Sequence, residues 1–83
     1  MTSAEIIARM TDMMRDLLGD DSIALTAETE RPDVPGWDSF TYINFIVAVE
    51  FEFKVKFRVA EIESFPNVGA IANAVIARQT QRS

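Results

Sequence analysis

Ser39 is the side chain whose type and setting could carry chemistry. The chain holds neither histidine nor cysteine. That removes Ser-His-Asp and Cys-His nucleophilic catalysis, zinc sites built from imidazole or thiolate, and disulfides. Its three glycines, Gly19, Gly36 and Gly69, are too few and too scattered for a phosphate-cradling loop or a dinucleotide fingerprint. Hydroxyls and carboxylates remain. No carboxylate pair is placed by sequence against apolar residues so as to raise its acidity constants, so an enzyme is not expected and no catalytic or metal-ligating residue is assigned. Ser39 follows a long acidic stretch, sits beside Asp38 and opens an apolar helix. The free amides and positive dipole end there favour an attached anion. A phosphodiester on that hydroxyl would gain about 1 kcal/mol at an exposed helix end. The plainer reading of Asp-Ser before an apolar helix is a cap for loose backbone donors.

Four elements must position this serine. Residues 2–18 are predicted to form a helix. Thr2 and Glu5 have capping-box spacing, Ile6, Ile7, Met10, Met13, Met14, Leu17 and Leu18 make an apolar stripe, and Gly19 offers a left-handed exit. The methionines read as core filler. Residues 19–37 form a long connection broken by Thr26, Thr29, Pro32, Pro35 and Gly36, with Ile23 and Leu25 able to pin it to the core. The second helix spans 38–53, with Asp38 or Ser39 as its cap. Tyr42, Phe45, Ile46, Val49 and Phe53 share one of its faces, while Phe40, Ile43, Val47 and Phe51 lie nearly opposite, with Asn44 among them and Glu50 at the edge. Two stripes leave two options: the helix is sandwiched inside the domain, or it offers its second face to a partner.

Residues 54–59 alternate like a strand, but nothing else in the chain could pair with it. An extended linker is expected, with Val55, Phe57 and Val59 turned down and Lys54, Lys56 and Arg58 outward. A short helix over 60–64 should end before Phe65-Pro66. Asn67 then caps a final helix carrying Val68, Ile71, Ala72, Val75 and Ile76. The polar tail from Gln79 to Ser83 is expected to fray. The fold class is all-α: a small bundle of three main helices plus one short helix, with a long loop between helices 1 and 2.

Eighty-three residues suit one domain, 1–83, with 48% hydrophobic and 25% charged residues. The net charge of −5 opposes nucleic-acid binding. Nine acids and three bases fall in residues 1–38 against four acids and five bases in 39–83. The acidic stretch is either a solvated loop or a surface that steers a basic partner. No apolar run reaches membrane-spanning length, and the N-terminus lacks the pattern of a signal peptide, so a cytoplasmic monomer is expected.

The run Gly36-Trp37-Asp38-Ser39-Phe40, continuing through Ile43, Ile46, Val49, Glu50 and Glu52-Phe53, then Val55-Lys56-Phe57 and Asn67-Val68-Gly69, resembles the acyl carrier protein family over nearly the whole chain. That family's Asp-Ser-Leu motif opens the second helix of a small acidic bundle, and a separate transferase modifies its serine with 4′-phosphopantetheine. The resemblance implies attachment at Ser39 and a role for Asp38 in assisting the transferase's metal site. Phe40 would stand beside the arm in place of the usual leucine. Acyl groups would ride as thioesters between enzymes, with the reactive thiol on the arm rather than on a cysteine. The implied partners are the phosphopantetheinyl transferase, an acyl-loading ligase or acyltransferase, and a downstream synthase or transferase. Ile43, Asn44, Val47, Glu50 and Phe51 would form the docking face.

Two departures qualify the resemblance. Thr41, Asn44 and Phe51 stand where fatty-acid carriers commonly display acids, and Lys54 stands where glycine is common. The first points to apolar docking in a specialised polyketide-, lipid- or secondary-metabolite-type pathway rather than general fatty acid biosynthesis. Chain length suggests a free-standing carrier. The alternatives are an aminoacyl or peptidyl carrier using the same arm, and an unmodified helical interaction module.

Overall fold

The computed structural model describes residues 1–82, and its order is α1 (Ser3–Leu18), a 3-10 turn (Arg31–Asp33), α2 (Ser39–Phe53), α3 (Val59–Ser64) and α4 (Val68–Arg82). The expected all-helical bundle is what forms, and no strand occurs among the described residues. Thr2 caps α1 through the predicted box: its hydroxyl accepts from the Glu5 amide at 3.2 Å, and its own amide donates to Glu5 Oε1 at 2.8 Å. Gly19 ends the helix in the left-handed region, at φ 64°.

The apolar stripes meet in a continuous core. Ile6, Met10 and Met14 of α1 pack with Phe45, Ile46 and Val49 of α2 and with Val68, Ile71, Ala72 and Val75 of α4. Ile23, Leu25, Val34 and Trp37 fold the long loop down onto this core. Thr11, buried on α1, donates its hydroxyl to the Ile7 carbonyl and accepts the Leu25 amide, which satisfies a loop donor inside the core. Arg15 holds the Ile23 carbonyl at 2.7 Å in the same way. The loop is therefore anchored by both apolar and polar groups.

Three expectations need correction. Val59 is not on the buried side of the linker; it is 70% exposed. The chain turns helical at Val59, and the change of period from two to 3.6 carries that side chain outward. The 3-10 turn was not foreseen: Pro32 presets its φ, and Asp33 accepts the Glu30 amide at 2.9 Å. The final helix runs past Gln79 to Arg82, so most of the stretch expected to fray is helical; Ser83 lies outside the described residues.

Lys54 ends α2 in the left-handed region, at φ 56° and ψ 48°, among the described residues the one non-glycine with positive φ. A Cβ in that conformation costs about 1 kcal/mol or more. Lys54→Gly is therefore expected to raise stability by about 0.5–1 kcal/mol in urea unfolding, after allowing for glycine's greater freedom in the unfolded chain. An unchanged or lowered midpoint would mean that the lysine side chain offsets the strain.

Candidate functional site

The loop reaches α2 through a tight descent. Gly36 takes φ 87°, the Trp37 amide donates to the Val34 carbonyl at 3.1 Å, and the Asp38 amide donates to the Gly36 carbonyl at 3.0 Å. Asp38 is extended (φ −89°, ψ −175°) and is the cap: its Oδ1 accepts the Thr41 amide at 2.8 Å. Ser39 is thus the first helical residue, not the cap. Its side chain is exposed, and its hydroxyl has no hydrogen-bond partner among the described residues. It stands at the positive end of a 15-residue helix whose first turn holds no acid.

The Thr41 amide, then its hydroxyl, hold the Asp38 carboxyl below its ordinary value, against a smaller opposition from burial and with a lesser contribution from the Phe40 amide. Glu5, held chiefly by the Thr2 amide, and Asp20, held chiefly by the Ser22 hydroxyl, are lowered as well. Because these groups are more acidic folded than unfolded, their support is complete above the ordinary carboxylate range. It is lost as pH falls through that range toward the depressed folded values. Melting temperature is expected to fall steadily below about pH 4. Asp38→Asn, which keeps the cap but not the charge, should flatten part of that slope.

Phe45, Ile46 and Val49 are buried on the inner face of α2, whereas on the outer face Phe40 is 76% exposed, Ile43 50%, Val47 44% and Phe51 81%. The second stripe is therefore offered to solvent, not sandwiched, and Asn44 is exposed among it. Both acids of the helix are engaged inside the molecule. Glu50 Oε2 accepts the Phe57 amide at 2.8 Å, and Glu52 pairs with Arg9 of α1. The outward face is left apolar, with its charge at the two ends: the acidic loop and Asp38 before it, Lys54 and Lys56 after it.

Trp37 lies beneath this end of α2, 7% exposed, with its ring 5.5 Å edge-on from Phe45 and 6.1 Å from Tyr42. Its Nε1 is buried without a hydrogen-bond partner. Leaving such a donor unmade costs about 1–3 kcal/mol. Trp37 also lines a cavity of about 150 Å³ together with Thr29, Glu30, Arg31, Tyr42, Phe65 and Ile71. The Arg31 guanidinium sits 4.8 Å over the Tyr42 ring. Burial pushes the Tyr42 phenol up, against a lowering by Arg31, and the phenol donates to the Ile62 carbonyl.

Asp38, Ser39 and Phe40 thus come together on one exposed corner, and Ile43, Asn44, Val47 and Phe51 extend from it along one face. Glu50 is half-buried and directed partly inward. The cavity and the roles of Arg31 and Tyr42 in it were missed. Tyr42 reads as an ordinary core position, and only a tryptophan two residues before the serine hinted at a buried polar group there. Among the described residues there is no cluster of three or more acidic side chains able to hold a metal, and no helix is long and apolar enough to cross a membrane.

No protein-family model matches the chain. Its fold is similar to the solution NMR structure of a holo acyl carrier protein from Geobacter metallireducens, with a TM-score of 0.83 and 35% sequence identity over 93% of this chain and 88% of that one.

Proposed function

The chain belongs to the acyl carrier protein family, and from that premise we propose that Ser39 carries a 4′-phosphopantetheine arm on which acyl groups are held for partner enzymes. The observation that carries this reading is the division of labour at the start of α2. Asp38 satisfies the Thr41 amide, so the Ser39 hydroxyl is left exposed and without a partner at the helix's positive end. A phosphodiester fits that position: the dipole favours the charge, no acid lies in the first helical turn, and the adjacent Asp38 carboxylate, which opposes it, is committed to the Thr41 amide. The neighbouring solved structure is that of a holo carrier, the form that bears such an arm.

When bound, the arm supplies a terminal thiol for thioester formation. The chain's own residues hold, orient and present it. Ser39 tethers the phosphate, and Asp38, an ordinary carboxylate held below its usual value by the Thr41 amide and hydroxyl, is ionised at neutral pH. That leaves a carboxylate beside the hydroxyl to assist the transferase's metal. Phe40 flanks the arm. The role is that of a carrier rather than a catalyst, acting as a monomer in the cytoplasm with three kinds of partner: the transferase, an acyl-loading ligase or acyltransferase, and a downstream synthase or transferase.

Ile43, Asn44, Val47, Glu50 and Phe51 form the docking face, with Glu50 contributing the oxygen not committed to Phe57. Because Glu52 and half of Glu50 are already engaged, the contact is mainly apolar. This supports a dedicated partner in a specialised pathway. Phe51→Glu is expected to lower kcat/KM of the cognate loading enzyme about tenfold or more, since burial of a phenylalanine is worth about 1.5–3 kcal/mol. Its melting temperature should stay the same, because the ring is 81% exposed. Unchanged transfer would remove Phe51 from the docking face. The primary test is intact-protein mass spectrometry after incubation with coenzyme A and a phosphopantetheinyl transferase, where the gain of one arm is expected.

A further inference from the structure

The exposed stripe on α2 is complementary to itself. We propose that a second copy of this chain covers it: two α2 helices pack antiparallel about a two-fold axis when no partner enzyme occupies the face. The pairing follows from the chain's own residues, and its consequence for docking rests on the proposed attachment at Ser39.

Spacing is the first argument. Phe40, Asn44, Val47 and Phe51 are separated by four, three and four positions, the seam of a coiled coil. The gaps read the same in both directions. A two-fold axis crossing α2 midway between positions 45 and 46 sets Phe40 opposite Phe51 of the second copy, and Asn44 opposite its Val47. Tyr42, Phe45, Ile46, Val49 and Phe53 are buried on the other side of the helix, so pairing leaves the bundle's core untouched. The two Asn44 carboxamides flank the axis, about 4.5 Å apart along it. A polar residue at such a seam position fixes the register at a cost in stability.

Charge is the second. Asp38 caps one end of α2 and Lys54 the other, and both are exposed. Under the same axis Lys54 lies within one residue's rise, about 1.5 Å along the helix, of Asp38 in the second copy. Both ends thereby meet opposite charge, and the two helix dipoles run in opposite directions, their favourable side-by-side arrangement. A parallel pair would set Asp38 against Asp38 and Lys54 against Lys54. Lys54 holds a left-handed position that glycine would fill without strain, so the chain carries this cation against its backbone preference.

Area sets the strength. Phe40, Ile43, Val47 and Phe51 are exposed, and over two copies they offer about 700–900 Å² of apolar surface. Stable complexes bury about 1,200 Å² or more, and weak encounters less. The net charge of −5 on each copy also opposes contact, although at physiological salt the screening length is about 8 Å. A Kd of about 0.1–1 mM is therefore expected. At micromolar concentrations the carrier is single, and pairing sets in only where it is concentrated. A paired copy cannot dock, because the enzyme and the second copy need the same face.

The experiment follows the unmodified chain by sedimentation equilibrium in physiological salt from about 0.01 to about 2 mM, a range that brackets the expected Kd. The average mass should rise from that of one chain, with more than half of the protein paired at the upper end. Val47→Glu sets an acid on each side of the axis and should raise Kd about tenfold or more. Lys54→Glu turns two attractions into repulsions and should raise it about threefold or more. A cooperative melting transition confirms that each variant is folded. Orientation is read by NMR on a mixture of isotope-labelled and unlabelled chains, where contacts between Phe40 of one copy and Phe51 of the other are expected. Within one chain these two rings are separated by about 16 Å along α2, so no intramolecular signal imitates them.

A mass that stays at one chain up to about 2 mM would overturn the proposal. Association that both folded variants leave unchanged would do the same, as would contacts between Phe40 and Phe40 of the second copy, the mark of a parallel pair. Attachment at Ser39 is judged separately, by mass gain from coenzyme A at micromolar concentration, where the chain is single. Loss of that gain would remove the consequence for docking, whereas loss of pairing would leave the attachment standing.

Discussion

Ser39→Ala is expected to abolish the mass gain from coenzyme A completely while leaving the melting temperature within about 2 °C of the parent. The two halves of this result come from different atoms. Loading needs an oxygen nucleophile at the first position of α2, and alanine has none. Stability needs the Thr41 amide satisfied, and Asp38 already does that at 2.8 Å. Alanine is also the better helix former at position 39, so the helix start should survive intact. Had Ser39 been the cap, its removal would have cost about 1 kcal/mol, or some 4–8 °C in a domain of this size. The melting curve therefore tests the capping assignment, and the mass spectrum tests the tether. If the parent protein folds normally and gains no mass with a competent transferase, the carrier reading falls, and a helical module with an exposed apolar face is left in its place.

Much of this corner was legible in the residues, because the signals there are local. The capping box at Thr2 and Glu5, the left-handed Gly19, the Asn67 cap on α4 and the two stripes of α2 each depend on neighbours within four positions, and each is present. Periodicity placed Phe40 and Phe51 on one face. It could not decide whether that face was covered, because coverage depends on where α1 and α4 pack. The choice between Asp38 and Ser39 as cap was likewise open, since both types suit the position; the backbone's extended conformation at Asp38 decides it. Val59 was misplaced for a related reason: the alternation of Val55 and Phe57 stops where helical hydrogen bonding begins, one residue before the expected boundary. The engagement of Glu50 with Phe57 and of Glu52 with Arg9 was not visible, because those partners are seven and 43 residues away. The cavity beside Trp37 is formed by residues from the loop, α2 and the start of α4, and no single stretch encodes it.

Gly69→Ala should lower the melting temperature by more than about 10 °C, although general helix propensity argues the opposite. Gly69 lies in the first turn of α4, with no positive φ to favour glycine. There alanine would gain up to about 1 kcal/mol by propensity alone. The opposing effect is steric. A Cβ at this position would lie 2.8 Å from the Ala27 carbonyl oxygen, 3.0 Å from its Cβ and 3.2 Å from its Cα. Two of these atoms are backbone, which cannot swing aside as a flexible side chain could. The same approach carries two backbone hydrogen bonds, Gly69 N–H to the Ala27 carbonyl at 2.8 Å and Val68 N–H to the Thr29 carbonyl at 2.9 Å. Relieving the contact lengthens both, at about 1 kcal/mol each, and the overpacking itself costs about 1–3 kcal/mol. The sum, about 3–5 kcal/mol, exceeds the propensity gain by about 2–4 kcal/mol, the middle of which at 4–8 °C per kcal/mol gives the expected shift. A higher melting temperature in Gly69→Ala would show that the loop can retreat freely and that the two bonds contribute little. The functional consequence is separable from the thermal one. Pushing Ala27 away displaces Thr29 in the wall of the cavity, while Asp38 and Ser39 at the start of α2 keep their local bonds. Below its melting point the variant should therefore accept the arm as the parent does.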